Sequence, residues 1–145
     1  MKTIFKITLV AFMLLTGAMC ASAQVFSKMT DGQRNAALIK IAKRLYRADV
    51  FDHYYKMYGY NGKAKISSHK VENSSKSALT YGHDVGQLQY IVKLYCRPTK
   101  ELGSYTAVKV IISDKTGKPW YIKFDCDGII YTPWDTPEAF EKFNY

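Results

Sequence analysis

The side chains best suited to binding another molecule are three lysines, Lys93, Lys109 and Lys123. Each falls in a stretch where apolar and polar residues alternate, the pattern of a strand with one buried face. If these stretches pair as an antiparallel sheet, Lys93 lies opposite Lys109, and Lys109 lies opposite Lys123. Three tyrosines flank them: Tyr95, Tyr105 and Tyr121. Ammonium groups beside amphipathic rings favour binding of an anionic glycan, a phosphate or an acidic protein surface.

The same lysines also have a purely structural interpretation. Lysines are common on the solvated face of a sheet, where their long stems splay apart and cover apolar surface. Like charges placed directly opposite each other cost a few tenths to ~1 kcal/mol per pair. Both interpretations stay open from the sequence alone, and the predicted binding site consists of the three lysines and the three tyrosines.

Residues that commonly catalyse reactions form no recognisable motif in this sequence. His53, His69 and His83 belong to three separate predicted elements, and none has a second histidine at metal-ligand spacing. A Gly-x-Ser-x-Gly elbow, a phosphate-binding loop and a dinucleotide fingerprint are absent. Asp125 and Asp127 precede a glycine as in a calcium loop, but the further acidic ligands are missing, which favours a simple turn. We therefore expect no metal and no cofactor.

The first 23 residues have the composition of a signal peptide. Lys2 and Lys6 form a basic start, and residues 7–15 are an apolar run too short to span a bilayer. Ala21-Ser22-Ala23 fits the small-x-small pattern of a signal-peptidase site. We expect one exported domain, residues 24–145, whose formal net charge falls from +9 to +7 on loss of the two lysines. Its destination is the periplasm, the cell surface or the medium, and no later stretch predicts a transmembrane segment.

Two cysteines remain after this processing, Cys96 and Cys126. Exported proteins often join such a pair in a disulfide. In a simple meander, however, a third strand separates them by about 9.6 Å, whereas a disulfide needs α-carbons roughly 4.4–6.8 Å apart. Either the thiols are free and buried, or a bulge or another strand order brings them together.

One long amphipathic helix is predicted at the start of the domain. Thr30 and Gln33 form a capping-box pattern. Apolar residues then recur at spacings of three and four over about six turns: Leu38, Ile41, Leu45, Ala48, Phe51, Tyr55 and Tyr58. Gly59 is a suitable stop, and the change in composition near Asp49 marks the point where the helix would break if it does.

The rest of the domain is predicted to be an antiparallel meander of four to five strands. Residues 63–71 form a polar edge strand, residues 87–97 a clear second strand, and residues 105–126 a central hairpin. Residues 129–131 add a last short strand. A short C-terminal helical turn follows, with Thr136 as its cap and Pro137 as its first residue.

The central hairpin determines which side chains share a face. A three-residue loop, residues 115–117, with Gly117 in the left-handed region, pairs Asp114 with Lys118. This register sets three apolar pairs on one face: Ile112 with Trp120, Val110 with Ile122, and Val108 with Phe124. It also places Lys109 and Lys123 together on the other face.

A helix on an antiparallel meander is a two-layer α+β fold. This layout is similar to cystatin-like and NTF2-like folds, in which a helix lies in the curve of a bent sheet. The Gln-x-Val-x-Gly loop of cystatins is absent here, and NTF2-like domains usually carry more helices before the sheet. No residue of either family is therefore carried over.

Two functions compete on these grounds. The small size and the missing catalytic motifs favour an exported, non-enzymatic binding or inhibitory module that engages a protein or an anionic glycan, and no nucleic acid partner is expected. The alternative is an NTF2-like small-ligand-binding protein or enzyme with an aromatic pocket between helix and sheet. In that pocket, His53 with Asp49 or Asp52 would form an acid–base pair. A helix–sheet interface filled by side chains would argue against it.

Overall fold

The computed structural model describes residues 26–72, 85–98 and 107–143. The expected signal peptide, Tyr105 and the chain between the first two predicted strands, residues 73–84, lie outside these ranges. The described helices are α1 (Asp31–Tyr46), α2 (Asp52–Tyr58) and α3 (Pro137–Phe140). The described strands are β1 (Ala64–Lys70), β2 (Leu88–Tyr95), β3 (Ala107–Ser113), β4 (Pro119–Phe124) and β5 (Ile130–Tyr131).

The five strands pair in chain order as one antiparallel sheet. The lysine-rich β1 forms one edge, as predicted, and the two-residue β5 forms the other. The α+β class and the antiparallel meander are therefore confirmed.

The inner face of the sheet is sealed by α1. Leu94, Val110 and Ile122, from three consecutive strands, are fully buried in one cluster with Leu38 and Leu45 of α1. Each such side chain contributes roughly 1.5–3 kcal/mol when it is fully buried. The alternation in the strands and the stripe on α1 thus face each other, as the sequence predicts.

The prediction of one long helix is wrong. α1 has 16 residues and begins with the predicted capping box. It ends at Tyr46, after which Arg47 donates its backbone N–H to the carbonyl oxygen of Lys43. Ala48 is extended, with φ −65° and ψ 144°, and a 3₁₀ turn, Asp49–Phe51, leads into α2.

The size of the sheet explains this break. A straight helix over residues 31–58 would be about 42 Å long, whereas strands of six to eight residues span about 20–27 Å. The change of direction brings Phe51 and Tyr54 back onto β4, where their ring centroids lie 5.4 Å and 4.0 Å from that of Phe124. The apolar stripe continues through the break because both helices bury the same core.

The turn of the central hairpin also differs from the prediction. Ser113, not Asp114, pairs with Lys118, donating its N–H to the Lys118 carbonyl oxygen at 3.0 Å. The loop therefore comprises residues 114–117, and Gly117 has the expected left-handed conformation with φ +70°. Asp114 instead accepts hydrogen bonds from the backbone N–H and the hydroxyl of Ser27, each at 2.9 Å.

A β-bulge corrects one of the three predicted apolar pairs. Val108 faces Phe124 and Val110 faces Ile122, as predicted, but Ile112 lies opposite Pro119. Since proline has no N–H to donate, bulges and strand starts are where a sheet accepts it. The bulge carries Trp120 away from the core and into a second apolar cluster on the outer face, with Ile111 and Tyr121.

The remaining expectations concern the cysteines and the C-terminal turn. Cys96 and Cys126 are both free thiols, as in the first of the two alternatives, but only Cys96 is buried, whereas Cys126 is half-buried. Burial raises the pKa of both thiols, whereas a nucleophilic cysteine needs a lowered pKa.

Pro137 begins α3 as predicted, but the Thr136 side chain does not cap this helix. That hydroxyl donates to the carbonyl oxygen of Thr132 at 3.4 Å.

Candidate functional site

The three predicted lysines lie in register, and a fourth lysine joins them. Lys93 pairs with Lys109, and Lys109 pairs with Lys123, which confirms the predicted register. On the other side of β2, Lys65 of β1 pairs with Lys93. We call Lys65, Lys93, Lys109 and Lys123 the lysine row. It crosses four neighbouring strands on the outer face of the sheet, opposite to α1.

One carboxylate lies beside this row. The oxygens of Asp125 lie 3.2 Å from the Nζ of Lys109 and 3.7 Å from the Nζ of Lys93. Partly exposed ion pairs contribute about 1 kcal/mol or less, so the gain in stability is small. Within the described ranges, no salt bridge involves Lys65 or Lys123. The row therefore keeps an excess of positive charge.

The lysine row borders a hollow of about 400 Å³, which we call the outer hollow. Its floor is apolar and comes from the next outward-facing row of the sheet, in which Ile91 pairs with Ile111, and Ile111 pairs with Tyr121. Ile111 and Tyr121 are 1% and 4% exposed, although they lie on the outer face. A hollow of this volume falls in the lower part of the range of small-molecule sites.

The β4 bulge extends this apolar surface to one side. It brings Trp120 beside Tyr121, whereas strict alternation would put them on opposite faces. The ring of Trp134 then packs edge-on against Trp120, with 5.2 Å between the ring centroids. The outer face thus carries an apolar region next to a cationic one.

Tyr121 lines the outer hollow as a neutral phenol at physiological pH. Burial and, to a smaller extent, the charge of the nearby Asp125 together raise the pKa of its hydroxyl to about 12. A neutral phenol has an O–H that donates one hydrogen bond. The hollow therefore offers an anion the ammonium groups of the lysine row beside an uncharged ring.

The other two predicted tyrosines have different positions. Tyr95 lies on the outer face, with its ring centroid 5.6 Å from the Nζ of Lys93, and contacts that lysine by a cation–π interaction. It is not among the residues that line the outer hollow. Tyr105 lies outside the described residues.

Five residues that line or border the outer hollow were not predicted as part of a site: Lys65, Ser67, Ile91, Ile111 and Asp125. Alternation places Asp125 on the same face as Lys123, but its position before a glycine was interpreted as a turn. Ile91 and Ile111 are apolar residues at outward-facing positions, an irregularity that indicates a covered outer face. Lys65 could not be assigned to the row, because the sequence of a weak edge strand does not fix its register with the neighbouring strand.

Among the described residues, the histidines and the other acidic side chains do not form a catalytic or metal-binding site. His53 is exposed on α2, with its ring centroid 4.0 Å from that of Tyr54. Asp127 accepts hydrogen bonds from the Tyr54 hydroxyl and the backbone N–H of Ile129, as expected of a turn residue. His83 lies outside the described residues. Across the described ranges, no three His, Cys, Asp or Glu side chains are placed to hold a metal ion.

Two further properties of the chain concern membrane-spanning helices in the described segments and similarity to known proteins. Among the helices of the described segments, none has both the length and the apolar character needed to cross a bilayer. Comparison with protein-family models, curated proteins and solved structures gives no match.

Proposed function

We propose that this protein is a small, exported, non-enzymatic binding module that engages an anionic group of a protein or glycan partner through the outer face of its sheet. The lysine row is the observation that carries the proposal. Four like charges aligned at strand spacing, about 4.8 Å, cost stability in the free protein. A bound anion reduces that repulsion, and the nearby carboxylate of Asp125 offsets it in part.

The charge of the whole chain supports the same proposal. The formal net charge is +9, and a basic surface attracts anionic partners over distances of about a Debye length, ~8 Å at physiological salt. The side chains of Lys93 and Lys109 are 33% and 35% exposed. Their ammonium groups are therefore accessible, while their stems rest on the sheet.

Heparin, a sulfated polyanionic glycan, is a suitable probe for the test. We expect Lys93→Gln/Lys109→Gln/Lys123→Gln to elute from immobilised heparin at a clearly lower salt concentration than the parent. The matched control is Lys28→Gln/Lys40→Gln/Lys142→Gln, which removes three exposed positive charges from outside the sheet. Equal elution shifts for the two variants would overturn the proposal, since retention would then follow net charge alone.

The alternative function is NTF2-like small-ligand binding or catalysis between helix and sheet. A groove of about 300 Å³ supports it, lined by Arg34 and Ile39 of α1, Ile66 of β1 and Tyr90 of β2, among others. Four aromatic residues between the helices and the sheet, however, pack on one another: Phe51, Tyr54, Phe124 and Tyr131. The binding module is therefore the function that the geometry favours.

A further inference from the structure

We infer that the outer hollow takes a small amphipathic anion, such as a carboxylate on an aliphatic chain or a sulfonate on an aromatic ring. The inference rests on the proposed function, because the same lysine row binds the anionic end of the ligand. It goes beyond that function by assigning the apolar floor to the rest of the ligand.

The order of side chains along β4 sets a direction across the outer face. Tyr121, Lys123 and Asp125 follow at two-residue spacing, so the lysine row lies between the apolar floor and the Asp125 carboxylate. An anion that lies along this direction places its apolar part on Ile91 and Ile111 and its charged end at the ammonium groups. Beyond them, Asp125 repels it.

The floor explains why a purely polar anion does not use the whole site. Ile91, Ile111 and Tyr121 offer it no ionic partner, although the Tyr121 hydroxyl can donate one hydrogen bond. An aliphatic chain removes apolar surface of both partners from water, which raises affinity by roughly fourfold for each methylene covered. The lysine stems beside the floor add further apolar contact.

The volume of the outer hollow limits the size of the ligand. About 400 Å³ accommodates a short acyl chain or a small fused ring system. A long glycan chain contacts the lysine row from outside and leaves the floor uncovered. Size and polarity therefore both favour the small amphipathic anion.

The test is titration calorimetry with the acetate, hexanoate, octanoate and decanoate anions. We expect affinity to rise by roughly tenfold or more with each two-methylene lengthening of the chain from hexanoate to decanoate, and acetate to show the weakest binding. Ile91→Ser, which changes the floor but no charge, should weaken decanoate binding about tenfold and leave elution from heparin unchanged. Ile129→Ser is the matched control, since Ile129 is 44% exposed and lies outside the hollow.

A second variant covers the case in which Ile91→Ser does not fold. Ser67 is exposed, lines the outer hollow and pairs with Ile91. Ser67→Asp therefore adds a negative charge at the edge of the hollow without burying a polar group, and it should weaken decanoate binding severalfold.

The outcomes separate this inference from the proposed function. Affinity independent of chain length, or decanoate binding by Ile91→Ser and Ser67→Asp equal to that of the parent, overturns the inference. If the triple lysine variant still elutes early from heparin in that case, the proposed function stands. If heparin elution does not depend on the lysine row, both fail.

Discussion

At the scale of single residues, Asp125 limits how strongly the lysine row attracts an anion. Its carboxylate lies near both Lys93 and Lys109, so it competes with a ligand for these cations. We expect Asp125→Asn to raise the salt concentration needed for elution from heparin. We also expect it to lower the free energy of unfolding, measured in urea, by up to about 1 kcal/mol, because it breaks the ion pairs and leaves like charges opposed.

The matched control for this prediction is Glu141→Gln. Glu141 is exposed in the 3₁₀ turn that follows α3, and its replacement changes the net charge by the same amount. Its elution should shift much less than that of Asp125→Asn. Equal shifts would mean that heparin senses net charge rather than the carboxylate beside the lysine row. Unchanged stability of Asp125→Asn would show that the ion pairs add nothing to the fold.

At the scale of helices and strands, a feature could be predicted when a short stretch of residues carries its whole pattern, and not when distant parts of the fold decide it. Alternation in β2, β3 and β4 was enough to assign the two faces of the sheet, except at Trp120. The register of Lys109 with Lys123 is as predicted because the bulge offsets the extra residue of the loop. The change in composition near Asp49 marked where the helix could break, and the break lies there. That the helix does break could not be predicted, because the apolar stripe continues through the break and the sheet's dimensions decide whether the helix turns. The bulge had one local signal, Pro119, which has no N–H to donate to a regular ladder.

Two glycines provide a matched test of the elements that they occupy. Gly117 ends the β3–β4 loop with φ +70°, a conformation that costs other residues roughly 1–2 kcal/mol. Gly32 lies in the first turn of α1, and a Cβ added there meets no atom within 4 Å. In urea unfolding, we expect Gly117→Ala to lower stability by about 1–2 kcal/mol, and Gly32→Ala to raise it by a few tenths to about 1 kcal/mol.

Each of these variants checks one element independently of the other. A Gly117→Ala protein as stable as the parent would contradict the left-handed loop, and with it the four-residue turn that precedes the bulge. A loss of stability in Gly32→Ala would show that the start of α1 does not have regular helical geometry. Neither residue lines the outer hollow, so elution from heparin should stay unchanged in both.

At the scale of the whole molecule, the sheet separates a buried apolar core on its inner face from a partly covered, charged surface on its outer face. Its inner face is a sealed apolar core shared by α1 and α2, whereas its outer face combines the lysine row with the partly covered floor of the outer hollow. Tyrosines take part on both sides: Tyr46 and Tyr54 lie in the core, and Tyr121 lies on the outer face. The stability of the entire fold is therefore linked to the ionisation of these phenols.

This linkage predicts a loss of stability at alkaline pH. Burial raises the pKa of Tyr121 to about 12 and also raises the pKa values of Tyr46, Tyr54, Tyr60 and Tyr90 above the usual 10.0. A raised phenol pKa means that the folded state retains protons that the unfolded state releases. The corresponding stability is complete below pH 10 and falls as pH rises through the folded pKa, by up to about 1.4 kcal/mol per pH unit for each tyrosine.

Urea unfolding at a series of pH values from neutral to about 11.5 measures this loss, and ultraviolet absorbance of the phenolate reports the ionisation itself. We expect the free energy of unfolding to fall steeply above pH 10, and Tyr121→Phe to reduce that slope because one raised pKa is removed. Ile129→Ser, which removes no ionisable group, is the control and should leave the slope unchanged. If Tyr121→Phe kept the parent's slope, Tyr121 would titrate as an exposed phenol, and the covered floor of the outer hollow would be contradicted.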